Sequence, residues 1–253
     1  MSDVQPEELL IEVVLRLIQG AKHIAVGANS PIPAAAAFLA QRLSPDAPNV
    51  SLQQSPDHNL WTDGGRELFD SAGQGRIDVF FFSGAQIDGT GNINLTVIGD
   101  YAHPRTRFPG AYGSAYLYFM VPRIILFRLE HSRRTLVEKV DFISAPGTSP
   151  PNVFRRGGPV ALVTPLCHFG FDKRRARFRL ESVHPGHTVD EVLDNTGFAF
   201  DRPDEVPVTP APSAEMLTLL RGTVAPLLAA IYPKFAEKVF GIDMPRVPAG
   251  TGA

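Results

Sequence analysis

The chain has 253 residues, with 24 Lys and Arg against 26 Asp and Glu and a formal net charge of −2. A hydrophobic share of 44% supplies a sizeable core and excludes a disordered chain, and a charged share of 20%, mixed in sign, gives no polyanion-binding surface. Cys167 is the single cysteine, so no internal disulfide forms and a reducing compartment is expected. The acidic N-terminus lacks the basic-then-apolar order of a secretory leader. The longest nearly apolar runs, 34–40 and 224–232, fall short of the ~20 residues that cross a bilayer. A cytoplasmic globular protein is expected.

In chain order, Leu9, Leu10, Val13, Val14 and Leu17 recur at helical spacing and predict a helix over 7–20, stopped by Gly20. His23–Val26 reads as a buried strand running into Gly27, Ala28, Asn29 and Ser30. Pro31 and Pro33 then open an Ala-rich helix over 34–43, where a missing N–H costs nothing. Residues 49–54, 77–83, 123–129 and 159–165 are further strands, and those over 77–83 and 123–129 are apolar enough to be covered on both faces. Residues 175–183 alternate, with Ala176, Phe178, Leu180 and Ser182 on one face, which predicts a half-exposed strand. A turn at 184–186 and a short helix over 189–193 follow.

Alternating helices and strands predict an α/β fold, a mainly parallel open sheet flanked by helices. Residues 1–200 are read as one domain, 201–212 as a proline-rich linker, and 213–253 as C-terminal helices interrupted at Pro226 and Pro233, with a frayed tail from Pro245.

Several chemistries find no anchor. The histidines and Cys167 show no paired metal-ligand spacing, so no metal is expected. No nucleophile elbow, Walker A loop or dinucleotide-binding glycine pattern occurs. What stands out is three glycine-bearing segments placed at predicted strands: 27–33; 83–94 with Gly84, Gln86 and Asn92; and 109–115 with Gly110, Tyr112, Gly113, Ser114 and Ala115. Glycine lets backbone approach a ligand, and successive N–H groups stabilise an oxyanion. Taken alone, each segment reads first as a plain turn.

Taken together and in order, with the Glu181–Thr188 segment Glu-Ser-Val-His-Pro-Gly-His-Thr, these motifs resemble β-type subunits of class I coenzyme A transferases over about residues 7–200. The resemblance implies a CoA-transferase/isomerase-like fold and one active site built with an α-type partner subunit, as a heterodimer or heterotetramer. It also implies a substrate carried on coenzyme A, with no permanently bound cofactor. A Glu of the β-type half would attack the acyl-CoA thioester and carry CoA to a second acid. At the matching turn this chain has Gln54, Ser55, Pro56 and Asp57, and the Glu position falls on Ser55 or Pro56. No Glu occurs between Pro45 and Gly65. Ser or Gln cannot replace a carboxylate that must form an anhydride and then a thioester. Either the partner supplies the carboxylate, Asp57 takes the role, or the reaction has changed.

The chain is also similar to β-type subunits of steroid-ring-opening hydrolases of the same fold, in which the working Glu belongs to the partner. It lacks their Thr-Asp-Gly-Glu-Ala stretch, so the substrate does not carry over. The implied roles are an oxyanion-type backbone at Gly113, Ser114 and Ala115, and substrate contacts at Gly84, Gln86, Asn92, Gly110 and Tyr112. Gln86 and Asn92 have loop hydrogen bonding as an even alternative. His103, Arg105 and Arg107 either meet CoA phosphates or a substrate carboxylate, or form an exposed basic loop. The basic run Lys173, Arg174 and Arg175, with Arg177 and Arg179, is read as a solvated hairpin face. A non-catalytic subunit that kept the fold, and a sugar-phosphate isomerase relative, stand as competing readings.

Overall fold

Five short apolar strands lie side by side in parallel at the centre of the protein, whose computed structural model describes residues 4–242. They are β1 (His23–Val26), β2 (Asn49–Leu52), β3 (Val79–Phe82), β8 (Arg123–Phe127) and β9 (Pro159–Val163). Two antiparallel strands, β10 (Cys167–Asp172) and β11 (Arg177–Val183), extend the sheet to the order β11-β10-β9-β8-β3-β1-β2. Between β3 and β8 the chain makes two small hairpins, β4 (Gln86–Ile87) with β5 (Ile93–Asn94), and β6 (Val97–Gly99) with β7 (Pro104–Arg107). The α/β architecture expected from the sequence is the one present.

Both faces of the sheet are buried, which is why its central strands read as continuous apolar runs. Val79, Phe81, Ile125 and Val163 face helices α1 (Pro6–Leu17) and α2 (Pro31–Leu43), while Phe80, Ile124, Leu126 and Leu162 face α3 (Gly64–Gly73) and α4 (Ser114–Met120). Each buried Phe or Ile contributes roughly 1.5–3 kcal/mol of transfer free energy. Ala34, Ala35, Ala36 and Ala37 are fully buried, because small side chains let α2 pack closely on several sides at once. The short helix α5 (Val189–Asn195) follows β11 and is capped by Thr188, whose hydroxyl accepts the Glu191 N–H at 3.1 Å.

The C-terminal helices join the first of these layers. α6 (Ala214–Leu219), a π-helical stretch (Leu220–Val224) and α7 (Ala225–Ile231) run on continuously and bury Met216, Leu220, Val224 and Leu228 against α1 and α2. The expected break at Pro226 is absent. The wider π turn just before it relaxes the backbone that a proline ring would otherwise strain, and the chain bends instead at Tyr232, before α8 (Pro233–Phe240). Residues 214–231 also form a helix long and apolar enough by composition to cross a membrane, with a mean hydropathy of 1.4, although its polar residues interrupt any continuous apolar run. One stripe of that helix packs into the core.

Residues 201–209 run beside β11. Leu180 N–H donates to the Asp201 carbonyl at 2.7 Å, and Thr209 N–H to the Val183 carbonyl at 2.8 Å. Three further expectations change in detail. The strand over 77–83 is Val79–Phe82 and that over 123–129 ends at Phe127. The 175–183 strand begins at Arg177, because Ala176 takes φ +50° in the hairpin turn. The tail from Pro245 lies outside the described residues.

Candidate active site

In an open parallel sheet, ligands bind where consecutive connections leave in opposite directions, beyond the carboxyl ends of the strands. Here the chain passes from β1 outward to β2, then returns to β3 on the other side of β1. That switch point carries a cavity of about 400 Å³ lined by residues 29–33, 81–83 and 127–130. Its first wall is the loop after β1, where Asn29 adopts φ +54°, a left-handed conformation that Asn tolerates better than most residues. Gln54 holds it there, its Oε1 accepting the Asn29 N–H at 2.7 Å. Gln54 thus serves the crevice by fixing its wall.

The turn after β2 is closed on itself. Ser55 is 3% exposed, with Oγ 2.9 Å from His58 Nδ1, and backbone bonds join Ser55 to Leu52 and His58 to Ser55. Pro56 and Asp57 are exposed, and neither Ser55 nor Asp57 lines the crevice.

Gln86 and Asn92 are occupied by the loop they belong to. Gln86 Oε1 accepts from Asn94 Nδ2 at 2.8 Å and from Asp141 N–H at 2.9 Å, and its Nε2 donates to Asp141 at 3.1 Å. Asn92 donates to Asp88 and Thr90 and accepts the Gly147 N–H at 3.0 Å. Gly84 is required by close approach, since a Cβ there would lie 2.7 Å from the Gln86 carbonyl oxygen.

In the third segment, Gly113 caps α4 at φ +63°, with the Phe69 ring where a Cβ would be. Ser114 N–H donates to the Ala111 carbonyl at 2.8 Å, and Ser114 Oγ is buried without a partner among the described residues. Ala115 is exposed on the first turn of α4. Tyr112 is 71% exposed, and its ring lies 5.7 Å from that of Phe69 over α3, outside the crevice.

A larger groove of about 790 Å³ adjoins the crevice and shares Ser83 and Arg128 with it. Gly84, Gln86 and Gly110 lie on its wall, together with Arg105, Arg133 and Arg134. Sequence reasoning missed the polar groups that follow β8. Arg128 pairs with Glu130 at 3.2 Å, Glu130 accepts the Ser132 hydroxyl at 2.8 Å, and Arg134 grips the same carboxylate with bonds of 2.8 and 2.9 Å. The Ser132 hydrogen bond first, then Arg134, holds the Glu130 carboxyl below its usual pKa, so it is an ionised anchor for arginines. The sequence does carry a signal for them: Arg128 and Glu130 stand at the end of a predicted strand, the same position that singles out the glycine loops.

Behind this wall, His131 bonds Thr164 at 2.8 Å and Thr196 at 2.9 Å. Burial pushes its pKa down to about 4, so it is a neutral strut. Cys167, 3.9 Å from His131, is buried, which raises its thiol to about 12. His103, Arg105 and Arg107 separate: His103 pairs with Asp100 at 3.5 Å, Arg107 stacks on Tyr101, and Arg105 alone reaches the groove. Arg175 and Arg177 both pair with Asp201.

The sheet order and the switch-point crevice are those of an α/β ligand-binding fold, and comparison with known proteins identifies which one. The coenzyme A transferase family matches residues 21–195, and the chain belongs to that family. It is 39% identical over 162 residues to a subunit of the 3-oxoadipate CoA-transferase of Pseudomonas knackmussii, a match covering 62% of each chain. It is 32% identical over 165 residues to the cholesterol ring-cleaving hydrolase IpdB subunit of Rhodococcus jostii, covering 64% of each. These matches therefore span less than two thirds of the relatives' own length. The crystal structure of the decarboxylase AibA/AibB superposes with a TM-score of 0.75 at 26% identity, covering 95% of this chain and 100% of that one.

Proposed function

We propose that this chain is the β-type subunit of a heteromeric CoA-transferase-like enzyme, acting on an acyl-CoA thioester at the carboxyl edge of the sheet. The observation that carries this is the switch-point crevice, walled by the Gln54-braced loop after β1 and by Arg128 and Glu130 after β8. Coenzyme A enters as part of the substrate, with no resident cofactor. An α-type subunit completes the site and supplies the attacking carboxylate. That assignment follows from the turn after β2, where Ser55 is closed on His58 and no Glu stands within 53–58. Arg128 polarises the thioester carbonyl from one side of the crevice, and the Gly113, Ser114 and Ala115 loop positions α4 and the start of β8 rather than donating from Ser114 N–H, which already bonds Ala111.

The same missing Glu favours a second reading, hydrolysis in which CoA stays on the substrate, as in a ring-opening hydrolase. A carboxylate that never becomes an enzyme thioester is then not needed in this half.

Co-purification with the α-type subunit, followed by an acyl-CoA consumption assay with and without an acceptor acid, tests both. Transfer requires the acceptor and hydrolysis does not. A stable pair that neither binds CoA nor consumes any thioester makes this a structural subunit.

A further inference from the structure

The family match ends at residue 195, and the C-terminal helices α6, α7 and α8 lie beyond it. They still reach the crevice. Leu220, Val224, Leu228 and Tyr232 recur at four-residue spacing, all buried in the core layer that α1 and α2 build. Tyr232 ends this stripe at the bend, and both helices fix its backbone. Its N–H donates to the Leu228 carbonyl at 2.6 Å, and its carbonyl accepts the Phe235 and Ala236 N–H groups at 3.1 and 3.0 Å.

The ring carries one hydroxyl to the edge of the core. Tyr232 is 7% exposed, and its Oη is buried with no hydrogen bond formed among the described residues. Burial raises its pKa and the Ser30 backbone N–H opposes the rise, which places the two groups beside each other. Ser30 belongs to the crevice wall at 29–33, where backbone donors are scarce. Pro31 and Pro33 have none, the Asn29 N–H is taken by Gln54, and the Ser30 hydroxyl turns back to the Ala28 carbonyl at 3.1 Å. A residue at positive φ, such as Asn29, persists only where its surroundings hold it. Gln54 holds this loop from one side, and the Ser30 N–H faces Tyr232 on the other.

We propose that Tyr232 is a positioning residue, whose hydroxyl seats the Ser30 N–H and so sets the crevice wall at 29–33 for the substrate. This rests on the thioester reading above and extends the site to helices outside the family match.

Tyr232→Phe removes the oxygen and keeps the ring, while Lys238→Gln removes the ion pair of α8 with Glu7 and leaves the hydroxyl alone. Both variants are compared with the wild type as the subunit pair. The readouts are amide hydrogen exchange over 27–33, the urea midpoint, and kcat and KM for acyl-CoA consumption. Tyr232→Phe is expected to speed exchange over 27–33 and raise KM, each by roughly three- to tenfold, with kcat held within about twofold. Lys238→Gln is expected to change neither exchange over 27–33 nor KM. Unchanged exchange in Tyr232→Phe overturns the proposal even if the urea midpoint falls, since a packing role alone would lower it. Faster exchange with KM unchanged overturns it too, because the brace then has no bearing on the site. An equal rise in KM in Lys238→Gln also overturns it and assigns the effect to loosened helices. A wild-type pair inert toward every thioester brings down the functional reading instead, and the exchange rates then decide by themselves whether Tyr232 holds the loop.

Discussion

The 86–94 loop and the arginine groove beside it differ in how much of their hydrogen-bonding capacity the protein itself uses. In the loop, Gln86 and Asn92 meet Asn94, Asp88, Thr90, Asp141 and Gly147, so most of their bonding capacity is used within the protein even though Gln86 also lines the groove. In the groove, Arg105 is unpaired among the described residues and Arg128 Nε is buried without an acceptor there. The conspicuous motif is largely bonded within the protein, and the inconspicuous end of β8 has more bonding capacity left over. Closed polar networks set stability, and open ones set ligand affinity.

That contrast is tested first by acid. His184 is buried, His131 and His168 are half-buried, and desolvation pushes all three down to pKa about 4, from an ordinary 6.5. Between those values the unfolded chain binds more protons than the folded one. The stability they secure is complete above pH 6.5 and is lost as pH falls toward 4, by several kcal/mol in sum. Urea midpoints across that range measure it, and a flat profile would show that these rings are not held neutral. Next in size, Gly113→Val places a Cβ into the Phe69 ring at φ +63° and is expected to cost about 3 kcal/mol in urea unfolding. Gln86→Leu strips acceptors from Asn94 and Asp141 N–H and is expected to cost about 2 kcal/mol. A ligand-contact role for Gln86 predicts the reverse pattern, intact stability and weakened thioester binding. The smallest effect is at Arg105: Arg105→Gln changes unfolding free energy by less than about 0.5 kcal/mol. A larger loss would move Arg105 into the closed class.

The central sheet is legible in the sequence because its residues obey one rule without competition: Val79 to Phe82 and Ile124 to Leu126 are apolar on both faces. β10 escapes notice although Cys167, Phe169 and Phe171 alternate inward, since Gly170 and His168 break the β-former pattern between them. Helix α3 is hidden because it begins at Gly64 and Gly65, residues that read as a loop. In the site, the glycine segments stand out by their position after strands, and the crevice lies beside two of them. Which side chains are free to act is not legible. That depends on partners distant in the chain, such as Asp141 for Gln86 and Asp194 for Arg133.

The strip beside β11 has a consequence for how the protein behaves at high concentration. Antiparallel edges invite pairing with other chains, which is how sheets grow into aggregates. Here residues 201–209 occupy part of the β11 edge, and the strip and its continuation carry Pro203, Pro207, Pro210 and Pro212, none of which has an N–H to donate outward. At the opposite edge β2 is four residues long. The sheet thus ends on a border that is a poor template for a further strand, and what reads in the sequence as a linker works as a guard against self-association.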